Sequence, residues 1–148
     1  MIRKIAGPLL LAFAVLATGC ATVIPPAAPE LDQAAKTFTA PADKAGLYIY
    51  RNEFLGSAIK FEVSLDGKRL GELPSKNYFY VEVPPGKHTV TGKAENESSI
   101  DFEALPGRLY YVWQEAKMGV FIARNLVQLV DEGVGRAGVM ECQRIDLN

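Results

Sequence analysis

The chain has 148 residues, enough for one domain with a real core and too few for two comfortable ones. Its 16 Lys plus Arg balance 17 Asp plus Glu with no run of like charge, which argues against nucleic acid as a partner, since phosphate binding needs a basic surface. Cys20 and Cys142 are the only cysteines and His88 the only histidine, too few ligands for a zinc site or a disulfide framework.

The chain opens with a short basic stretch, Arg3 and Lys4, followed by an apolar run over residues 5–17 and the small residues Thr18 and Gly19. This is the layout of a secretory signal peptide. The run is shorter than the roughly 20 residues of a membrane-spanning helix, so a permanent transmembrane anchor is the weaker reading. Ala17, Thr18, Gly19 and Cys20 resemble the bacterial lipobox, with Ala17 in place of the usual Leu and Leu16 one position early. The resemblance implies that residues 1–19 are a leader and that Cys20 becomes the first mature residue, acylated on its sulfur and amine. Several acyl chains give lasting attachment where one gives marginal binding. Ala21, rather than Asp, follows the cysteine, which resembles the pattern sorted to the outer membrane. A Cys20–Cys142 bridge is formally open, but acylation would consume the Cys20 thiol.

Residues 20–43 contain Pro25, Pro26, Pro29 and Pro41 and sustain no period of 2 or 3.6. They read as a flexible tether, extended at about 3.1 Å per residue where Pro-rich, with a helical turn or two over residues 30–36.

From residue 44 to residue 148 the pattern becomes alternating, with Gly and Pro turns, the signature of an antiparallel all-β domain. "GLYIYR" (46–51) places Leu47 and Ile49 on one face and Tyr48 and Tyr50 on the other. "IKFEVSL" (59–65) points Ile59, Phe61, Val63 and Leu65 inward, and "DG" at 66 and 67 predicts a type I′ hairpin into "KRLGEL". "NYFYVEV" (77–83) sets Tyr78 and Tyr80 opposite Phe79 and Val81. "PPGK" then predicts a hairpin in which "HTVTGKAE" pairs back along that strand. "SSIDFEAL" (98–105) turns inward Ile100 and Phe102, and "RLYYVWQEA" (108–116) is the most aromatic strand. "NLVQLVD" (125–131) can be a last strand. After it, "DEGVGRAGVMEC" has the acidic start of a short helix, weakened by its glycines and expected to pack through Val134, Val139 and Met140.

"VSLDGKRLGEL" followed by "VEVPPGKHTV" resembles the PEGA-type β-sandwich pattern. The wider run, from "GLYIYR" to "GVMEC", is similar to a family of bacterial lipoprotein domains of unknown function. The resemblance implies an all-β, immunoglobulin-like or PEGA-like antiparallel β-sandwich of about seven to eight strands, with a short C-terminal helix. It carries over no activity.

No catalytic constellation stands out. His88 would be the only imidazole for a triad or a metal, and the resemblance to the PEGA-type pattern implies that it starts a hairpin strand, where it would hydrogen-bond locally or cap an edge. Glu95, Glu97, Asp101 and Glu103 alternate along a strand as a solvated face does, and the calcium-loop spacing is absent. Two features could meet a partner. Tyr78 and Tyr80 would point outward if Phe79 and Val81 face the core, although strands favour aromatics in any case. "KMGVFIARN" (117–125) gathers Met118, Val120, Phe121 and Ile122 in a connection between strands; such a loop either folds back under the sheet, the default for large apolar side chains, or is offered to a partner.

The expected function is that of a lipid-anchored outer-membrane protein, its domain facing the periplasm. It would have no enzymatic activity and no cofactor or metal, and would contact an envelope protein or peptidoglycan. The alternative is a carrier of a small lipid or glycan between the sheets, or an accessory subunit of an envelope enzyme.

Overall fold

The computed structural model describes residues 24–147, so the expected leader and Cys20 lie outside the described residues. The described chain is an all-β sandwich. Its strands are β1 (Ala45–Arg51), β2 (Phe61–Leu65), β3 (Lys68–Leu73), β4 (Asn77–Val83), β5 (Gly86–Lys93), β6 (Glu97–Ala104), β7 (Leu109–Met118), β8 (Ala123–Val130) and β9 (Gln143–Arg144). Helix α1 (Pro29–Ala35) precedes them, and α2 (Glu132–Met140) lies between β8 and β9. One sheet has the order β8-β7-β1-β4-β9 and the other β3-β2-β5-β6.

Alternation sets the inner faces. Leu47 and Ile49 of β1, Phe79 of β4 and Val112 of β7 meet Val63, Leu70, Val90 and Phe102 of the other sheet in one buried cluster. The β2–β3 hairpin turns as its Asp-Gly predicts, with φ of 51° at Asp66 and 77° at Gly67.

The ladders are less uniformly antiparallel than the sequence implies, because β1 pairs in parallel with β7 and β4 in parallel with β9. The expected hairpin at "PPGK" is not formed. β4 pairs with β1 and β9, whereas β5 pairs with β2 and β6, so residues 84–85 carry the chain from one sheet to the other. Pro84 and Pro85 have no backbone N–H with which to begin a ladder between them.

The outer face of the five-stranded sheet is covered, and this corrects the expected tyrosine stripe. Tyr48, Tyr50, Tyr78 and Tyr111 are buried in a second cluster with Ala35 of α1 and Val139 of α2, while Phe38, Tyr80 and Trp113 pack at its margin. Tyr48 stacks on Tyr111 with ring centroids 5.1 Å apart, and its hydroxyl donates to the Ala35 carbonyl at 2.6 Å. The Tyr78 hydroxyl donates to Asp32 Oδ1 at 2.8 Å. The Tyr48 and Tyr78 phenols are thus buried with their polar ends satisfied, as buried tyrosines require.

Helix α1 belongs to what composition marks as tether. Pro29 stands in its first turn with Glu30 and Asp32, where a fixed φ and negative charge both favour a helix start. Asp32 accepts from Arg144 N at 2.9 Å, Ala27 N donates to the Arg144 carbonyl at 3.0 Å, and Ala27 is buried. The folded unit therefore takes in residues 24–43.

Helix α2 begins at Asp131, whose Oδ1 accepts from Val134 N at 2.9 Å. It lies on the sheet through Gly135, Gly138 and Val139, whereas Val134 and Met140 are exposed. Their expected role in holding the helix passes to the glycines, which let its backbone rest on the rings of Tyr111 and Tyr50.

Candidate functional site

The β7–β8 hairpin carries the clearest departure from a polar surface. Met118 is 78% exposed, Val120 75%, Phe121 90% and Ile122 67%, so the greasy connection is offered to solvent and does not fold under the sheet. Folding back is blocked by the ladder itself, which runs without a break to the pair Met118–Ala123 and leaves only residues 119–122 to turn.

One carboxylate holds that turn. Glu95, in the β5–β6 connection, accepts from Val120 N at 3.1 Å through one oxygen, and from Phe121 N at 3.1 Å and Ile122 N at 3.2 Å through the other. Its own N–H donates to the Ala123 carbonyl at 3.0 Å. The backbone hydrogen bond from Ile122, then those from Phe121 and Val120, favour the ionised form and hold the Glu95 carboxyl below its ordinary value.

A second apolar loop stands beside the hairpin. Phe54 is 76% and Leu55 49% exposed in the β1–β2 connection. That loop touches the base of the hairpin, where Glu53 Oε1 accepts from Ala116 N at 3.3 Å. Arg51, fully buried, spans the loop from within. Its guanidinium donates to the carbonyls of Ile59 at 2.6 Å, Leu55 at 2.9 Å and Gly56 at 2.7 Å, and lies 4.1 Å from the Phe61 ring centre. At this pole a cation saturates the carbonyls of one loop and an anion the N–H groups of the other. Both present large apolar side chains on an internally hydrogen-bonded backbone.

The other expected residues fall elsewhere. Tyr78 is fully buried and Tyr80 half-buried beneath α1, where the Arg144 guanidinium lies 5.3 Å from the Tyr80 ring centre, so neither offers an open aromatic face. Cys20 lies outside the described residues. His88 is buried, with Nδ1 at 2.6 Å from Asp66 Oδ2 and Nε2 at 2.7 Å from the Pro84 carbonyl. Both partners can only accept, so the arrangement is complete when both ring nitrogens carry protons, and neither nitrogen is left to act on a substrate. Asp101 accepts from Thr89 Oγ1 at 2.7 Å across the β5–β6 ladder.

Between the sheets, Gln114 Nε2 donates to Asn125 Oδ1 at 3.1 Å, and Asn125 Nδ2 donates to the Gly92 carbonyl at 3.3 Å. A methyl group at Gly92 would collide with both side chains, so this polar layer fills the space above it. Side chains occupy the interior at that level; toward the opposite pole an open groove of about 500 Å³ lies among Leu65, Leu70, Val81 and Leu147.

Sequence reasoning found the four residues of the hairpin tip, missed Phe54, Leu55 and Arg51, and read Glu95 as part of a solvated strand face, whereas it lies in the β5–β6 connection and clamps the turn. "EFLG" was the available signal for the first pair, an apolar dipeptide followed by a glycine that adopts φ of 65°. Nothing local marks Glu95 or Arg51, whose partners are fixed by the crossing of the loops.

Comparison with known proteins adds kinship. A family model described as "Protein of unknown function (DUF2846)" matches residues 41–125. A relative from Haemophilus influenzae, described as "Uncharacterized protein", is 33% identical over 132 residues, covering 88% of this chain and 78% of the relative. No solved structure matches. The matched segment runs from just before β1 into β8 and includes both apolar loops, and on these grounds the chain belongs to the DUF2846 family.

Proposed function

We propose that this protein is a lipid-anchored envelope protein of the outer membrane, its periplasmic sandwich a non-catalytic interaction module that docks through the pole formed by the 119–122 turn and the 52–60 loop. One observation carries the docking: Met118, Val120, Phe121, Ile122 and Phe54 are all at least two-thirds exposed on loops whose backbones are already hydrogen-bonded. Exposed apolar clusters of this kind mark contact surfaces, and a loop held in one shape loses little entropy on binding. The packed apolar cluster between the sheets and the doubly engaged His88 favour a binding role over a carrier or an enzyme.

The anchor rests on the leader and on Cys20 alone. Mass spectrometry of the mature N-terminus, together with membrane fractionation of Cys20→Ala, tests it. Acylated Cys20, and a variant that leaves the membrane fraction, are expected. An unmodified thiol or an unchanged distribution would overturn the anchor.

A further inference from the structure

We infer that the apolar pole docks into a protein partner, which offers a dry apolar cleft with a polar rim, and does not insert into the bilayer that holds the N-terminus. The inference rests on the proposed lipid anchor and docking pole, and it follows from the direction of the chain. β1 and β7 run in parallel, and both end at the apolar pole. β4 starts there, its Asn77 opposite Arg51, and runs away from it with β9 alongside. Pro26 bridges Ile145 in the antiparallel sense, just beyond β9. Traced backward from Pro26, the chain therefore leaves toward the opposite pole, the one that holds the Asp66–Gly67 turn.

The two poles are separated by the length of β7. Its ten residues span about 30 Å at the rise of a strand. From Cys20 to Ile24 the chain reaches at most about 14 Å. An acyl group on Cys20 thus meets its bilayer at one end of the sandwich, and the hairpin points away from that bilayer.

The charge behind the apex fits a protein occupant as well. Lys117 and Arg124 are both exposed and pair across the ladder one step below Met118 and Ala123, with Glu115 2.6 Å from Lys117 and Glu95 close to Arg124, so the apex stands on a polar collar of mixed charge. Apolar anchors seated in a cleft, with charges at the rim, are how protein interfaces concentrate affinity and set orientation.

The test uses the full-length chain in its native host, with a benzophenone amino acid at position 121 in one strain and at position 68, on the opposite pole, in another. The expected result is a discrete protein adduct at 121 that is absent at 68. The captured protein, once purified, should bind the detergent-solubilised full chain saturably, and Phe121→Ser should raise Kd at least about tenfold. Because Phe121 is 90% exposed, an unchanged denaturation midpoint is expected for Phe121→Ser and would keep a loss of binding from being misfolding. Phospholipid crosslinked at 121 would overturn the protein occupant while leaving an anchored, docking module in place. Absence of any adduct at 121, or binding indifferent to Phe121→Ser, would remove the docking pole itself.

Discussion

Gly138 of α2 rests on the ring of Tyr50, and a methyl group on its Cα would collide with that ring. Gly135 stands in the same relation to Tyr111 one turn earlier. In an exposed helix, Gly→Ala gains about 1 kcal/mol of helix propensity. Here the added methyl must displace either an aromatic ring or the helix, which costs about 1–3 kcal/mol or more. Gly138→Ala should therefore lower stability, contrary to propensity, and a shift of the urea midpoint at unchanged slope would register it.

His88 predicts a dependence on pH. Burial alone would lower its pKa, but the hydrogen bonds to Asp66 and Pro84 and the charges of Asp66 and Glu103 outweigh burial and raise it. Asp66 is also partly desolvated, yet His88 and the Thr89 N–H bring its pKa below the ordinary value. A raised histidine stabilises the fold below its unfolded pKa, near 6.5, and loses that contribution as pH climbs through the folded value. The aspartate contribution is present above 3.8 and fades as pH falls through its folded value. The native chain should thus lose stability between about pH 6 and about pH 8, and His88→Gln should flatten that loss. Denaturation midpoints at the two pH values measure it.

Glu95 predicts a concerted titration at the tip. Its depressed carboxyl keeps the clamp intact above the unfolded value of about 4.5 and releases it as pH falls through the lower, folded one. The amide resonances of Val120, Phe121 and Ile122 should move together, with a midpoint below 4.5. Glu95→Gln should speed hydrogen exchange at all three amides while leaving β1 and β4 protected.

Cys142 is buried in the tyrosine cluster, where desolvation pushes its thiol up to about 12. Its Sγ lies 3.5 Å from the Arg51 carbonyl. The thiolate is the reactive form, so Cys142 should resist thiol reagents at neutral pH in the native chain and react fully in denaturant. Counting modified thiols by mass in the two conditions decides it.

The sequence was legible where the physics is local. Alternation in "FEV" and "GLYIY" places Phe61, Val63, Leu47 and Ile49 inside, and Asp66–Gly67 names its own turn. What alternation could not convey was that both faces of β1 are buried. A polar hydroxyl on Tyr48 or Tyr78 resembles a solvated position until α1 arrives to accept its hydrogen bond. For the same reason an Ala- and Pro-rich segment looked like tether, since its fixing partners, Arg144 and Tyr78, lie 112 and 46 residues away from Asp32. At the candidate site the apolar side chains were visible as a run of letters. Their exposure was not, because it depends on a ladder that extends to Met118 and on a carboxylate from another connection.

The most direct measurement is made on the double variant Phe121→Ser/Ile122→Ser of the full-length chain, followed by both denaturation midpoint and native mass of the detergent-solubilised complex. Exposed residues away from the core change stability by no more than about 0.5 kcal/mol when replaced. The account predicts an unchanged midpoint together with loss of the larger assembly. An assembly that survives the double substitution, or a midpoint that falls with it, would contradict an apolar pole built for docking.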